Sequence, residues 1–293
     1  MQTLGGLKLA EAANVTKHGD YRYSADSLYS LIQIARLQTV LALTPGEELK
    51  KVFPGFDPSP ESRVSADTTK RLLAILQKKN WYTNLLKNWY PDVPTGKPSP
   101  KHSSAVVAVD EQGNVAAILH SCNCIGWGTS GIFVDGVSIP DAATLQQDAI
   151  ARAGQGVRLP ETTNPVIVLK NGEPVLASST IGSALHEVTL QNLINVLDLG
   201  MDPQHAANRA DFQGPFLGMG LSGPSQRQLT KEVLDPGFRE KVVDGLKKRG
   251  QEIYEGRDGA YQSGYWVGIQ IDPKTRTLSG GASRRLNSFV EGY

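Results

Sequence analysis

Pro100-Lys101-His102-Ser103-Ser104 marks the point where a proline-rich stretch gives way to the apolar, β-branched run Ala105-Val106-Val107-Ala108-Val109. A hydroxyl residue at the head of a buried strand, just behind a flexible exposed segment, suits chemistry at a chain terminus. In that design the chain cuts itself before a Thr, Ser or Cys. The freed α-amine is then the general base for its own side chain, and no separate catalytic histidine is required. The same residues also fit the plainer role of a Ser-Ser turn capping a strand. His102 could assist such a cut, but it precedes the cut and leaves with the other fragment.

His120, Cys122 and Cys124 share one face if the strand continues through them, which invites a metal site. Same-face neighbours lie about 7 Å apart, two steps of roughly 3.3 Å, which is awkward for a tetrahedral site without a fourth ligand. The same spacing disfavours a Cys122–Cys124 disulfide. All three read as buried residues rather than ligands. His186, near a helix start, suits packing or capping. Trp127, in Gly126-Trp127-Gly128-Thr129, fits either a core aromatic or a pocket wall, and Glu47-Glu48 and Lys247-Lys248 are solvated faces.

The elements that must position these residues change type along the chain. From Ser24 to Leu43, Leu28, Leu31, Ile32, Ala35, Val40 and Leu41 recur at helical spacing, with Ser24 or Asp26 as cap and Pro45-Gly46 as stop. Asp67 to Lys79 predicts a second helix, and the prolines of residues 53–60 predict a loop between the two. Pro91 to Pro100 holds four prolines and one glycine, an exposed irregular linker. Hairpins follow: Ser103–Asp110 with Val115–His120, then Pro165–Leu169 with Pro174–Ser178 across Lys170-Asn171-Gly172-Glu173. The first hairpin is small and apolar on both faces, as expected of a sheet covered on both sides. Helices at His186–Leu199 and Phe238–Arg249 end in Gly200 and Gly250. Strands near Gly264–Ile271 and Thr277–Gly280 close the chain. The order predicts α+β, with sheets between helical layers. Tight turns between strands argue against a Rossmann fold, and no Gly-rich phosphate loop is present.

Composition narrows the function. The 293 residues carry 30 Lys+Arg against 29 Asp+Glu, a net +1 that lacks the basic excess of a nucleic-acid binder. At 40% hydrophobic and 20% charged, the chain can bury a core. No apolar run reaches the roughly 20 residues of a membrane span. Met1-Gln2-Thr3-Leu4-Gly5-Gly6 does not begin as a secretory signal, so none is expected in these residues; the compartment stays open. Two cysteines exclude a disulfide scaffold.

An ordered series of motifs then resembles the γ-glutamyltransferase (glutathione hydrolase) family of the Ntn-hydrolase superfamily. In the small-subunit part these are Asp110-x-x-Gly113-Asn114, His120-Ser121-Cys122-Asn123, Gly131-Ile132-Phe133-Val134, Asn164–Val168 with the Asn171-Gly172 turn, and Ser178–Ser183. Asn195–Met201, Ala207–Phe212, Gly281–Arg285 and the closing Glu291-Gly292-Tyr293 continue it, while Gly5-Gly6 and Ser24-Ala25-Asp26 resemble the end of the large subunit. The resemblance implies a four-layer αββα sandwich, with residues 1–102 a mostly helical large-subunit-like segment plus linker and 103–293 the catalytic segment. It implies a precursor that cuts itself between His102 and Ser103, no cofactor, and a small-molecule γ-glutamyl or related acyl substrate.

Carried over by position, Ser103 is the nucleophile and Ser121 falls where a threonine holds the nucleophile and its amine. Asn123 is a substrate-binding asparagine, two residues from Ser121 and so on the same strand face. Asp141 holds the substrate's α-amine, and Ile181 and Gly182 stand at the two oxyanion-hole amides. Glu161 and Thr162 replace a pair of serines, and Val137 replaces a polar residue near Asp141. An anionic Glu161 would repel a substrate carboxylate by roughly 1–4 kcal/mol at about 4 Å. The family's arginine for that carboxylate belongs to a part of the large subunit upstream of these residues. These departures point to a modified acyl or amide substrate rather than plain glutathione. Two alternatives stay open, a truncated or inactive member that binds or scaffolds and a hydrolase of a non-glutamyl substrate, and the resemblance implies the upstream half of a large subunit as a partner.

Overall fold

The computed structural model describes residues 2–44, 46–57, 59–89, 95–96, 103–124, 130–140, 142–143, 147–157, 163–182, 184–209, 211–215, 217–219, 227–230, 232–255, 264–284 and 288–292. Helices dominate the first part: α1 (Gln2–Ala12), α2 (Ala25–Leu43), α3 (Gly46–Val52), α4 (Ala66–Leu76) and α5 (Trp81–Trp89). Ser24 caps α2, its side chain accepting the Ser27 N–H, as its sequence predicts. Leu28, Leu31, Ile32 and Ala35 are buried, but so are Ile34 and Leu37, so α2 is enclosed on more than one side.

Helix α1 was not legible in the sequence, because Gly5 and Gly6 each cost a helix about 1 kcal/mol relative to alanine. Packing overrides that cost. A Cβ on Gly6 would stand 3.2 Å from Leu190 Cδ2, and one on Gly5 would stand 3.3 Å from Gln38 Nε2. The two glycines let α1 sit directly on α2 and on α7 (Leu185–Leu193), with α6 (Gln147–Ala153) and α8 (Glu240–Lys248) completing the longer helices.

The strands that matter for function are β1 (Ser104–Val109), β2 (Val115–His120), β3 (Ile132–Val134), β4 (Val137–Ile139), β5 (Val166–Lys170), β6 (Glu173–Gly182), β7 (Gly264–Ile271) and β8 (Leu278–Ala282). An antiparallel sheet runs in the order β8-β7-β6-β5, with Thr180 opposite Trp266 and Ser178 opposite Val166. Asn171 and Gly172, at φ 53° and 87°, make the tight turn that the Asn-Gly pair predicts. β3 and β4 form a further hairpin whose Asp135-Gly136 turn carries the same signal. Thr95 and Gly96, inside the expected linker, pair in parallel with Leu229 and Thr230.

Residues 176–180 of β6 are all buried, so both faces of this central strand are covered. One face meets α7, where Thr180 Oγ1 bonds Thr189 Oγ1 at 2.7 Å and Asn164 Nδ2 donates to Thr189 Oγ1, also at 2.7 Å. The opposite face meets the β1–β2 hairpin. Helical layer, sheet and hairpin are thus stacked, and the α+β class holds. The expectation that the hairpin is covered on both faces does not. Its inner face is half-buried, whereas Val106 and Ile118 on the outer face are 59% and 57% exposed. Among the described residues nothing plays the fourth, outer helical layer. The reason is compositional: an apolar outer face shows that a strand is built to be covered, not that the cover lies in the same stretch of chain.

Candidate active site

Ser103 directly precedes β1, and Ser121 directly follows β2. Antiparallel pairing places Ser104 opposite His120, so the hairpin brings its two ends together. Ser103 Oγ donates to Ser121 Oγ at 2.9 Å, and the Asn123 backbone N–H donates to the same oxygen at 3.0 Å. A hydroxyl has two acceptor lone pairs and one proton. With both lone pairs taken, Ser121 has its own proton left to offer a further acceptor. Ser103, Ser121 and Asn123 are all half-buried, sheltered yet reachable from solvent.

The turn that sets this register is held by a carboxylate. Asp110 accepts from the Asn114 backbone N–H at 2.7 Å and from Asn114 Nδ2 at 2.8 Å. These bonds, the side-chain one foremost, hold its carboxyl below the usual range. The same Asp110-x-x-Gly113-Asn114 motif that carried the resemblance therefore has a mechanical job, fixing which residues of β1 and β2 face each other.

Ser121 and Asn123 do meet, but not by strand alternation. The strand ends at His120, and Asn123 adopts a left-handed conformation, φ 51°. That bend also overturns the spacing argument for the cysteines. Cys122 and Cys124 are half-buried, and their sulfurs stand 3.2 Å apart rather than a strand repeat of about 7 Å. His120 is exposed on the outer face. An asparagine just past a strand was the available signal, since asparagine enters the left-handed region far more readily than most residues. The Cys122 carbonyl accepts the Ala143 N–H at 2.8 Å, which ties the segment after β4 to this bend.

Ile181 and Gly182 are the last residues of β6, paired with Tyr265 and Gly264. The expected oxyanion loop is therefore strand up to Gly182, where φ reaches 104° and only glycine is unstrained. Asp141, Glu161, Thr162, Trp127, His102 and Ser183 lie outside the described residues. His186 bonds Thr3 through Nδ1 at 3.3 Å and joins α1 to α7, a packing position. No helix among the described residues is long and apolar enough to cross a membrane.

A family model for Gamma-glutamyltranspeptidase matches residues 61–293. The chain belongs to this family. Gamma-glutamyltranspeptidases and their Ntn-hydrolase relatives are enzymes of acyl transfer and hydrolysis. The upstream motifs Gly5-Gly6 and Ser24-Ala25-Asp26 precede the matched residues. The fold likeness does extend there: cephalosporin acylase from Bacillus halodurans is 20% identical with a TM-score of 0.59, covering 100% of this chain and 50% of that one. A variant of LmbA2991 is 18% identical with a TM-score of 0.65, covering 97% and 51%. Gamma-glutamyltranspeptidase from Pseudomonas nitroreducens is 18% identical over 65% of this chain and 99% of that one, with a TM-score of 0.49. No curated protein matches. The chain spans about half the length of the acylase and of LmbA2991. At these identities the likeness is one of fold.

Proposed function

We propose that this gamma-glutamyltranspeptidase-family chain matures by cutting itself between His102 and Ser103 and then transfers or hydrolyses an acyl group through Ser103. The observation that carries this reading is the Ser103 Oγ–Ser121 Oγ hydrogen bond of 2.9 Å at the mouth of the β1–β2 hairpin. In maturation Ser103 Oγ attacks the His102 carbonyl carbon and the peptide C–N bond breaks. The α-amine of Ser103 is released, and water hydrolyses the resulting ester. In turnover the freed amine takes the Ser103 hydroxyl proton as Oγ attacks the substrate's acyl carbon. The amine then passes that proton to the leaving group, and water or an acceptor amine releases the acyl group. The remaining Ser121 proton is suited to the neutral α-amine, which would orient the base.

The oxyanion role of the Ile181 and Gly182 amides, at the end of β6 opposite Tyr265 and Gly264, is carried over from the family resemblance. Losing one such donor typically costs about 10²–10³ in rate. Asn123 and Asp141 would bind the substrate's polar end. Glu161 and Thr162, in place of two serines, favour an acyl or amide substrate other than plain glutathione. On this reading residues 1–102 are large-subunit-like and 103–293 form the catalytic segment. The exposed outer face of β1 and β2 supports a covering segment outside these residues, such as the upstream half of a large subunit.

Incubation of the purified chain, followed by denaturing mass spectrometry, should yield two fragments meeting at 102/103. Turnover of a panel of γ-glutamyl and other N-acyl anilides should vanish with Ser103→Ala. An intact chain that is fully active, or an active Ser103→Ala, would overturn the mechanism. A cut chain inactive on every compound, alone and with a covering partner, would leave a binding role instead.

A further inference from the structure

We propose that Cys122 and Cys124 form a thiol–disulfide modification site that governs how the substrate loop presents Asn123. The sulfurs stand 3.2 Å apart, and a disulfide bond is about 2.05 Å long, so closure needs a movement of only about 1 Å. Both cysteines are half-buried and neither is disulfide-bonded here, so a small oxidant can reach them. The left-handed Asn123 between them supplies the bend that aims the two side chains at each other.

Metal capture is the competing use of two close sulfurs. Tetrahedral zinc needs four ligands. Among the described residues no group of three or more His, Cys, Asp or Glu gathers as a metal site, whereas a disulfide needs only the two sulfurs already side by side.

The reaction balances with a low-molecular-weight disulfide as the oxidant. One cysteine thiolate attacks the external disulfide, forming a mixed disulfide and expelling one thiolate. The second cysteine thiolate then attacks the protein-side sulfur, closing Cys122–Cys124 and expelling the other thiolate. The protein loses two electrons and two protons, and the external disulfide becomes two thiols. With one residue between the cysteines, the second step is intramolecular and outruns accumulation of the mixed species.

The closed ring contains the whole Asn123 backbone. Its N–H is the donor to Ser121 Oγ at 3.0 Å, and the Cys122 carbonyl anchors Ala143 at 2.8 Å. Drawing the sulfurs together moves atoms on both sides of Asn123, so oxidation weakens substrate binding and leaves the Ser103–Ser121 pair in place. The effect on turnover rests on the active-site reading above; the thiol chemistry does not.

The test equilibrates the chain in glutathione redox buffers of stepped ratio, quenches with an alkylating agent and maps the peptide holding both cysteines by mass spectrometry. The expected peptide passes from doubly alkylated to unalkylated with loss of two hydrogens, reversed by a dithiol reductant. A persistent single-glutathione adduct, or no change across the series, overturns the proposal. In parallel, oxidation should raise KM roughly tenfold, the equivalent of one displaced hydrogen bond, with kcat little changed. Neither Cys122→Ser nor Cys124→Ser should show this oxidant effect. A disulfide that forms while KM stays constant overturns the link to Asn123. Activity surviving in Ser103→Ala would instead overturn the active-site reading, and the mass readout would still decide the disulfide.

Discussion

Replacing Ser121 with alanine removes one oxygen that accepts two hydrogen bonds, from Ser103 Oγ at 2.9 Å and from the Asn123 N–H at 3.0 Å. A hydrogen bond contributes a net of about 0.5–1.5 kcal/mol, so the pair amounts to roughly 1–3 kcal/mol. At about 1.4 kcal/mol per tenfold change, that is roughly a 5- to 150-fold loss of kcat/KM. The loss divides by role. The bond to Ser103 positions the attacking oxygen and should appear in kcat and in the rate of self-cleavage. The bond to Asn123 shapes the binding loop and should appear in KM. The site is half-buried and outside the main core, so folding stability should fall by less than about 2 kcal/mol. The assay is steady-state hydrolysis of a chromogenic N-acyl anilide, alongside fragment appearance on a denaturing gel. Ser121→Thr keeps the oxygen and should restore most of both rates. A Ser121→Ala chain that cuts and turns over within about twofold of the parent, with an unchanged circular dichroism spectrum, would refute the reasoning.

Three further perturbations probe the frame. Thr189→Val keeps the shape but strips the oxygen that bonds Asn164, Thr180 and the Leu185 carbonyl at 2.7 Å each, so stability should drop by about 2–4 kcal/mol in urea titrations at constant m. A loss below about 1 kcal/mol would mean that neighbours re-pair. Asp110 has a carboxyl held below its ordinary value, so its stabilising effect is present above the unfolded-state pKa near 3.9 and is lost as pH falls through the lowered folded value. Asp110→Ala should therefore flatten the acid side of the urea-midpoint curve, and an unchanged slope there would sink the idea. Val106→Lys with Ile118→Glu, an opposite-charge pair across the two strands, should leave the melting temperature nearly unchanged while reducing binding of a hydrophobic dye, because both side chains face solvent. Marked destabilisation would show that this face is already packed.

Where local chemistry decides structure, the residues announce it. Ser24 caps α2, Asn171-Gly172 turns one hairpin, and β7 spans Gly264–Ile271, where the sequence places a strand. The two ends of the first hairpin meet because its turn motif fixes their register, and that register brings together Ser103 and Ser121, the pair that the family resemblance implies. What escaped was decided at longer range. Helix α1 exists because other helices need glycine at Gly5 and Gly6, a demand invisible from within the segment. Past the strand end at His120, the left-handed Asn123 bends the chain and brings Cys122 and Cys124 together, which strand spacing does not foretell. The apolar outer face of the hairpin reads as one to be covered, yet it is exposed here, because a sequence does not state whose surface would bury it.

Burial in the helical core has a bearing on maturation. Leu9, Leu28, Ile32 and Leu72 share one cluster with Leu190, Ile194, Phe212 and Leu234, which come from the other side of the proposed scission. Severing the backbone at 102/103 would thus free an amine without freeing a polypeptide. The two products would comigrate through gel filtration as a single heterodimer, parting only in denaturant, since separation would open to water the interior that both of them build.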